Sequence, residues 1–187
     1  MNAVSSKWFA AVLLLAGFLH CSLRAQEIPT EVRPGASITA GGGVSHYNID
    51  YGQNALNGVE VYVDLNVTTH VGVEGEGRWL FLNQQANVHE STMLVGPRIS
   101  FNSHLIGNLT PYVKVLVGDA KFNFPYNYAT GSYFVLAPGA GIDLPVSQRF
   151  SIRLLDVEYQ SWPQFTYGSL HPLGVSFGIS YRILPRF

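Results

Sequence analysis

From Val175 to Ile183 the chain sets Val175, Phe177, Ile179, Tyr181 and Ile183 at every second position, with Gly174, Ser176, Gly178, Ser180 and Arg182 between them. Successive side chains of an extended strand point to opposite faces, so this is a strand with one apolar face and one small or polar face. The same alternation returns seven times upstream, at about residues 36–47, 59–67, 71–81, 92–101, 111–118, 134–143 and 152–159. Val59, Val61, Val63, Leu65 and Val67 against Glu60, Tyr62, Asp64 and Asn66 give the cleanest case. In the seventh strand Ile152 and Leu154 oppose Arg153, and then the parity changes, with Leu155, Val157 and Tyr159 opposing Asp156 and Glu158. One extra residue near Leu154-Leu155 accounts for the switch, which is a β-bulge. Pro97, Pro111 and Pro138 fall on strands and are expected near a rim or a bulge, because proline removes a ladder donor.

Eight strands in 187 residues predict an all-β chain of one domain plus a leader. Lys7, the apolar run Trp8 to Leu19 and Ala25 before Gln26 read as a secretory signal peptide over residues 1–25, with the barrel over 26–187. Removing that leader takes Lys7 and Arg24 from the eleven basic residues and leaves nine against twelve acidic ones. It also takes Cys21, the single cysteine, so neither a disulfide framework nor a thiolate metal site is expected. The mild acidity provides no basic patch for nucleic acid. No apolar run after the leader has helix-spanning length, so a membrane would be crossed only by a closed barrel, in which every strand's backbone groups are satisfied.

Alternation alone also fits a soluble barrel with its apolar face inward. Three features select the inverted arrangement. The polar face is crowded with Gly and Ser, as a narrow eight-stranded interior requires. It carries charges of both signs, Glu60, Asp64, Glu74, Glu76 and Asp143 with Arg78, Arg98, Lys114 and Arg182, as a paired ionic core requires. The Val-rich face is almost free of charge, and Trp79, Phe81, Phe101, Phe134 and Tyr159 lie near strand ends, where aromatic girdles belong. Short connections at 68–70, 102–108 and 145–149 alternate with longer loops. The prediction is an eight-stranded antiparallel up-and-down transmembrane β-barrel with short periplasmic turns and longer extracellular loops.

Several segments strengthen that reading: Gly41-Gly42-Gly43, Gly96-Pro97-Arg98-Ile99-Ser100-Phe101, Leu109-Thr110-Pro111-Tyr112-Val113 and Pro138-Gly139-Ala140-Gly141-Ile142-Asp143, together with the final strand. In order and spacing they resemble the small bacterial outer-membrane barrels that include the OmpA transmembrane region and OmpX-like proteins. The resemblance implies a Gram-negative outer-membrane location, with outer-membrane lipid and lipopolysaccharide as surroundings. It also implies that Phe177, Ile179, Tyr181 and Phe187 form a carboxyl-terminal signal for the assembly machinery.

Candidate chemistry is sparse. His89-Glu90-Ser91 shares the His-x-Ser spacing of lipid A deacylases, but His89 and Ser91 lie on Met93's face with no acid beside them, so an enzyme is not expected. His46, His70, His104 and His171 are scattered and no pair has ligand spacing, so no metal or cofactor is expected. The charged face reads either as a structural core or as a narrow ion-conducting path; in eight strands side chains fill the lumen, which favours the core. Phe124, Tyr126 and Tyr128 in one loop, with Trp162, Phe165 and Tyr167 in another, read either as a surface for an extracellular ligand or as side chains packed against each other above the girdle. The expected role is envelope integrity or surface interaction. A small-solute channel is the alternative, and a lipid A-modifying enzyme the distant one.

Overall fold

The computed structural model describes residues 36–50, 55–82, 88–101, 108–127, 129–165 and 168–184. The chain divides into a leading unit, Met1–Glu31, and a barrel unit, Val32–Phe187. The expected signal peptide and Phe187 lie outside the described residues, as do Tyr128, Tyr167 and His104.

Eight strands form the barrel: β1 Ser37–Asn48, β2 Ala55–Asn66, β3 Val71–Leu82, β4 His89–Ser100, β5 Thr110–Asn123, β6 Thr130–Pro145, β7 Phe150–Tyr159 and β8 Leu173–Leu184. Each pairs antiparallel with its neighbours in sequence order, and β8 returns to β1 through pairs such as Val44 with Phe177 and Gly42 with Ile179. Closure leaves no unpaired sheet edge. Short turns join the strands at one end, where Thr68 Oγ1 accepts from the backbone N–H of His70 and Val71, and Ser147 Oγ from those of Arg149 and Phe150. At the other end lie three connections of six residues and the longest, 160–172 between β7 and β8; the connection 101–109 at the turn end is the second longest.

The β5–β6 hairpin is longer than its sequence suggests. Ala120 and Phe122 continue the inward face while Asp119 and Lys121 continue the outward one, so the ladder runs on to Asn123 opposite Thr130. The connection between them shrinks to a tight turn, closed by Phe124 N–H donating to Ala129 O at 3.0 Å. The predicted bulge in β7 is present, as a register shift between Arg153 and Asp156. Pro97 and Pro138 lie within strands rather than at the rims. Pro97 stands where the β4–β5 ladder skips from Val95 to Arg98, and Pro138 just before the β6–β7 ladder begins at Gly139, so neither is asked for an amide proton there.

The outer wall is apolar over the middle of the strands. Val61, Val95, Val115, Phe177 and Ile179 are 51, 53, 47, 48 and 66 % exposed, with Phe81, Phe134 and Tyr159 towards the long-loop end and Phe150 and Tyr181 towards the turn end. Continuous exposed apolar surface of this extent around a closed barrel is matched to lipid rather than water.

Candidate functional site

The site is the barrel interior, and it is built in two layers. The layer nearer the turns is ionic. Lys114, pointing inward from β5, places Nζ 2.8 Å from Glu74 and Glu76, 2.7 Å from Asp156 and 3.4 Å from Glu158. Arg78 engages Glu60, Glu76 and Glu158, at 2.8 Å for the last. Arg98 engages Asp64, Glu74 and Asp143, and Arg153 engages the same three together with Asp156. Every one of these cations touches three or four carboxylates, which is how desolvated charges are kept from standing alone. Glu74, Glu76 and Asp156 converge closely enough to hold a metal ion, but the Lys114 ammonium occupies their centre.

Three tyrosines shape this layer. Tyr62, Tyr112 and Tyr47 each stand directly across a ladder from an inward-facing glycine: Gly41, Gly141 and Gly174 respectively. A Cβ on any of the three glycines would overlap the facing ring. The rings lie flat over bare backbone, and a guanidinium stacks on each. Arg153 sits 3.5 Å from the Tyr62 centroid, Arg98 3.8 Å from Tyr112 and Arg78 4.3 Å from Tyr47. The hydroxyls of Tyr47 and Tyr112 donate to Glu158 and Asp156, at 3.1 and 2.8 Å. Glycine, tyrosine, arginine and carboxylate thus follow one another from wall to axis.

The layer nearer the long loops is apolar, which corrects the expectation of a polar interior throughout. Leu56, Leu80, Leu94, Leu116, Ala120, Phe122, Val135 and Ala137 point inward from the strands and are buried. The chain between β7 and β8 folds over them. Ser161 bridges to Leu136 and Trp162 to Leu170, which seats Trp162 and Phe165 on Phe122, Phe124 and Tyr133 at centroid distances of 4.9–6.2 Å. The alternative of an exposed aromatic surface therefore fails for Phe124, Trp162 and Phe165, which are 8, 0 and 6 % exposed. Apolar inward positions on five neighbouring strands, β2 to β6, gave those rings a dry place to pack. Tyr126 differs. It is 86 % exposed, in a 3₁₀ turn over Pro125–Asn127, with φ of 58°.

The sequence-derived charges Glu60, Asp64, Glu74, Glu76, Arg78, Arg98, Lys114 and Asp143 all face inward and meet. Arg182 stays half-buried at the turn rim and donates to Gln148 O at 2.9 Å. With Asp64, Arg98 and Asp143 it lines a cavity of about 50 Å³, room for a water or two. Arg153, Asp156 and Glu158 belong to the network and were missed, although their alternation across the β7 bulge placed them on the polar face. Phe177, Ile179 and Tyr181 lie on the lipid-facing wall. His89 and Ser91 face outward from β4, while Glu90 between them is buried on the inside, between Leu80 and Phe122.

Fold and interior together define a class: an eight-stranded transmembrane barrel, apolar outside, with an ionic layer inside nearer the turns and an apolar one nearer the long loops. Solved structures that share the fold include two outer-membrane barrels. Neisserial surface protein A superposes with a TM-score of 0.63 at 10 % identity, covering 79 % of this chain and 98 % of that one. The outer membrane protein OprG from Pseudomonas aeruginosa gives 0.57 at 9 % identity, covering 81 % and 98 %. No protein-family model and no curated protein sequence matches the chain.

Proposed function

We propose that the protein is an integral barrel of a Gram-negative outer membrane, serving as an envelope scaffold whose long-loop end makes contacts at the cell surface. One observation carries this reading over the channel alternative: the bore is filled along its length, by the aromatic layer at one end and the ion-paired layer at the other. Eight strands leave only enough interior for side chains. Apolar groups lining the outer wall supply the match to lipid, and the exposed Tyr126 offers a contact for an extracellular partner. Carboxyl-terminal recognition by the assembly machinery is part of the proposal.

The test is reconstitution in planar bilayers, with a heat-modifiable gel shift reporting the folded barrel. Folded protein that adds no unitary conductance to the bilayer fits the scaffold. Steady conductance abolished by Glu74→Ala or Arg98→Ala would overturn it in favour of the ion path.

A further inference from the structure

On β4, β5 and β6 the outer wall departs from its apolar pattern. Across β4, β5 and β6 the outward residues fall in ladder rows. The row Val95, Val117 and Leu136 is wholly apolar, and the next towards the long loops is Met93, Asp119 and Phe134. Then comes Ser91, Lys121 and Ser132, followed by His89 and Thr130 with the buried Asn123 between them. Arg78, Arg98, Lys114 and Arg153 are inside the barrel and Arg149 and Arg182 are at the turn rim. Lys121 is therefore the one outward cation on the described strands. It is exposed, and among the described residues its side chain makes no hydrogen bond or ion pair.

We propose that Lys121 is the centre of a binding site for the phosphate of an outer-leaflet lipid headgroup, with the Ser91 and Ser132 hydroxyls as flanking donors. This rests on the outer-membrane reading above. Directly paired residues on neighbouring strands stand roughly 5 Å apart at Cβ, so the row spans about 10 Å and a phosphate held by the central ammonium has a hydroxyl on either side. Height supports the assignment. Trp79 pairs with Ser91 and extends the same row, and an indole belongs at the boundary between acyl chains and headgroups. A cation at that depth has its stem along apolar wall and its head among headgroups. Asp119, one row deeper on the same face, sets a limit: its carboxylate repels an anion and weakens the site.

The experiment folds the full chain into vesicles that carry either 1,4′-bisphosphorylated lipid A or the same lipid with both phosphates removed, and counts co-purifying lipid by native mass spectrometry. The site requires retention of the bisphosphorylated form over the dephosphorylated one by on the order of tenfold, the weight of one charge-assisted hydrogen bond. Lys121→Gln should abolish that preference, Lys121→Arg keep it and Asp119→Asn increase it, with the heat-modifiable shift intact in all three. Equal retention by the wild type and Lys121→Gln, both inserted, overturns this site alone. Wild-type chain that fails to insert overturns the outer-membrane reading and this site with it.

Discussion

Tyr112 lies directly across the β5–β6 ladder from Gly141, with its ring over the space that a Cβ at position 141 would fill. The same Cβ would also meet Leu155 O, which is backbone and cannot swing aside. Gly141→Ala must displace a ring that carries Arg98 on its far face and holds Asp156 through its hydroxyl. The expected loss is about 1–3 kcal/mol, the usual cost of overpacking a filled interior. Gly75 is the control, since a Cβ there meets nothing within 4 Å and would point into lipid. Gly75→Ala should stay within about 0.5 kcal/mol of wild type in urea unfolding from vesicles. Equal losses at the two positions would remove the close approach as the reason for glycine at 141.

Lys114 is the second point of leverage. Its ammonium is the shared partner of Glu74, Glu76, Asp156 and Glu158, and the side chain is fully buried. Lys114→Met leaves those carboxylates facing one another, and breaking a buried ion pair by deleting one side costs about 3–5 kcal/mol. Glu74→Gln is also expected to destabilise the wild type, since it weakens contacts with Arg98 and Arg153. On the Lys114→Met background the same change should instead recover part of the loss, because it removes one of four carboxylates that then repel one another without their shared ammonium. The double-mutant cycle reads that sign reversal directly, and additive losses would deny the shared partnership.

The barrel was legible in the sequence because strand alternation reports a side chain's face whatever the partner strand is. Val59 to Val67 could only be a strand with one apolar wall, and the parity change at Leu154-Leu155 could only be a bulge. The depth of a residue along the bore is a different matter. Glu60, Asp64 and Leu56 share one face of β2, yet the carboxylates lie in the ionic layer and Leu56 in the apolar one. Alternation has no coordinate along the axis, so the division of the interior into two layers was hidden. The aromatics of the loops were ambiguous for a related reason: a loop's side chains follow no period, and only the apolar cup below Trp162 shows that they turn inward. Arg153 opposes Ile152 and Leu154, but the bulge separates it in phase from Asp156 and Glu158, so the sequence does not couple it to the network.

Arg153 and Arg182 make the resulting distinction measurable. Arg153 is fully buried, stacked on Tyr62 and paired with four carboxylates. Arg182 is half-exposed and reaches a turn carbonyl. Arg153→Gln should cost about 3–5 kcal/mol as an uncompensated buried deletion. Arg182→Gln should cost under about 1 kcal/mol, as rim charges do. Chemical denaturation of both variants in one lipid separates the values, and a rim substitution as costly as the buried one would place Arg182 inside the network.

Trp162 tests whether the two layers close the bore independently. Its side chain is fully buried, and its backbone exchanges hydrogen bonds with Leu170 at 2.9 and 3.3 Å. Trp162→Ala removes the largest group of the aromatic layer, and truncating a buried Trp costs about 3–5 kcal/mol where the site cannot collapse. The damage should be local. Amide exchange at Ser161, Trp162 and Leu170 should speed up, while the ladders around Lys114 remain protected, since local opening follows the contacts actually lost. Conductance should stay at the bare-bilayer level, because Arg78 still spans the bore through Glu60, Glu76 and Glu158. Only a combined change, Trp162→Ala with Arg78→Ala, removes a member of each layer and is expected to admit ions. Conductance from Trp162→Ala alone would mean that the ionic layer is porous and that the aromatic layer is the single seal.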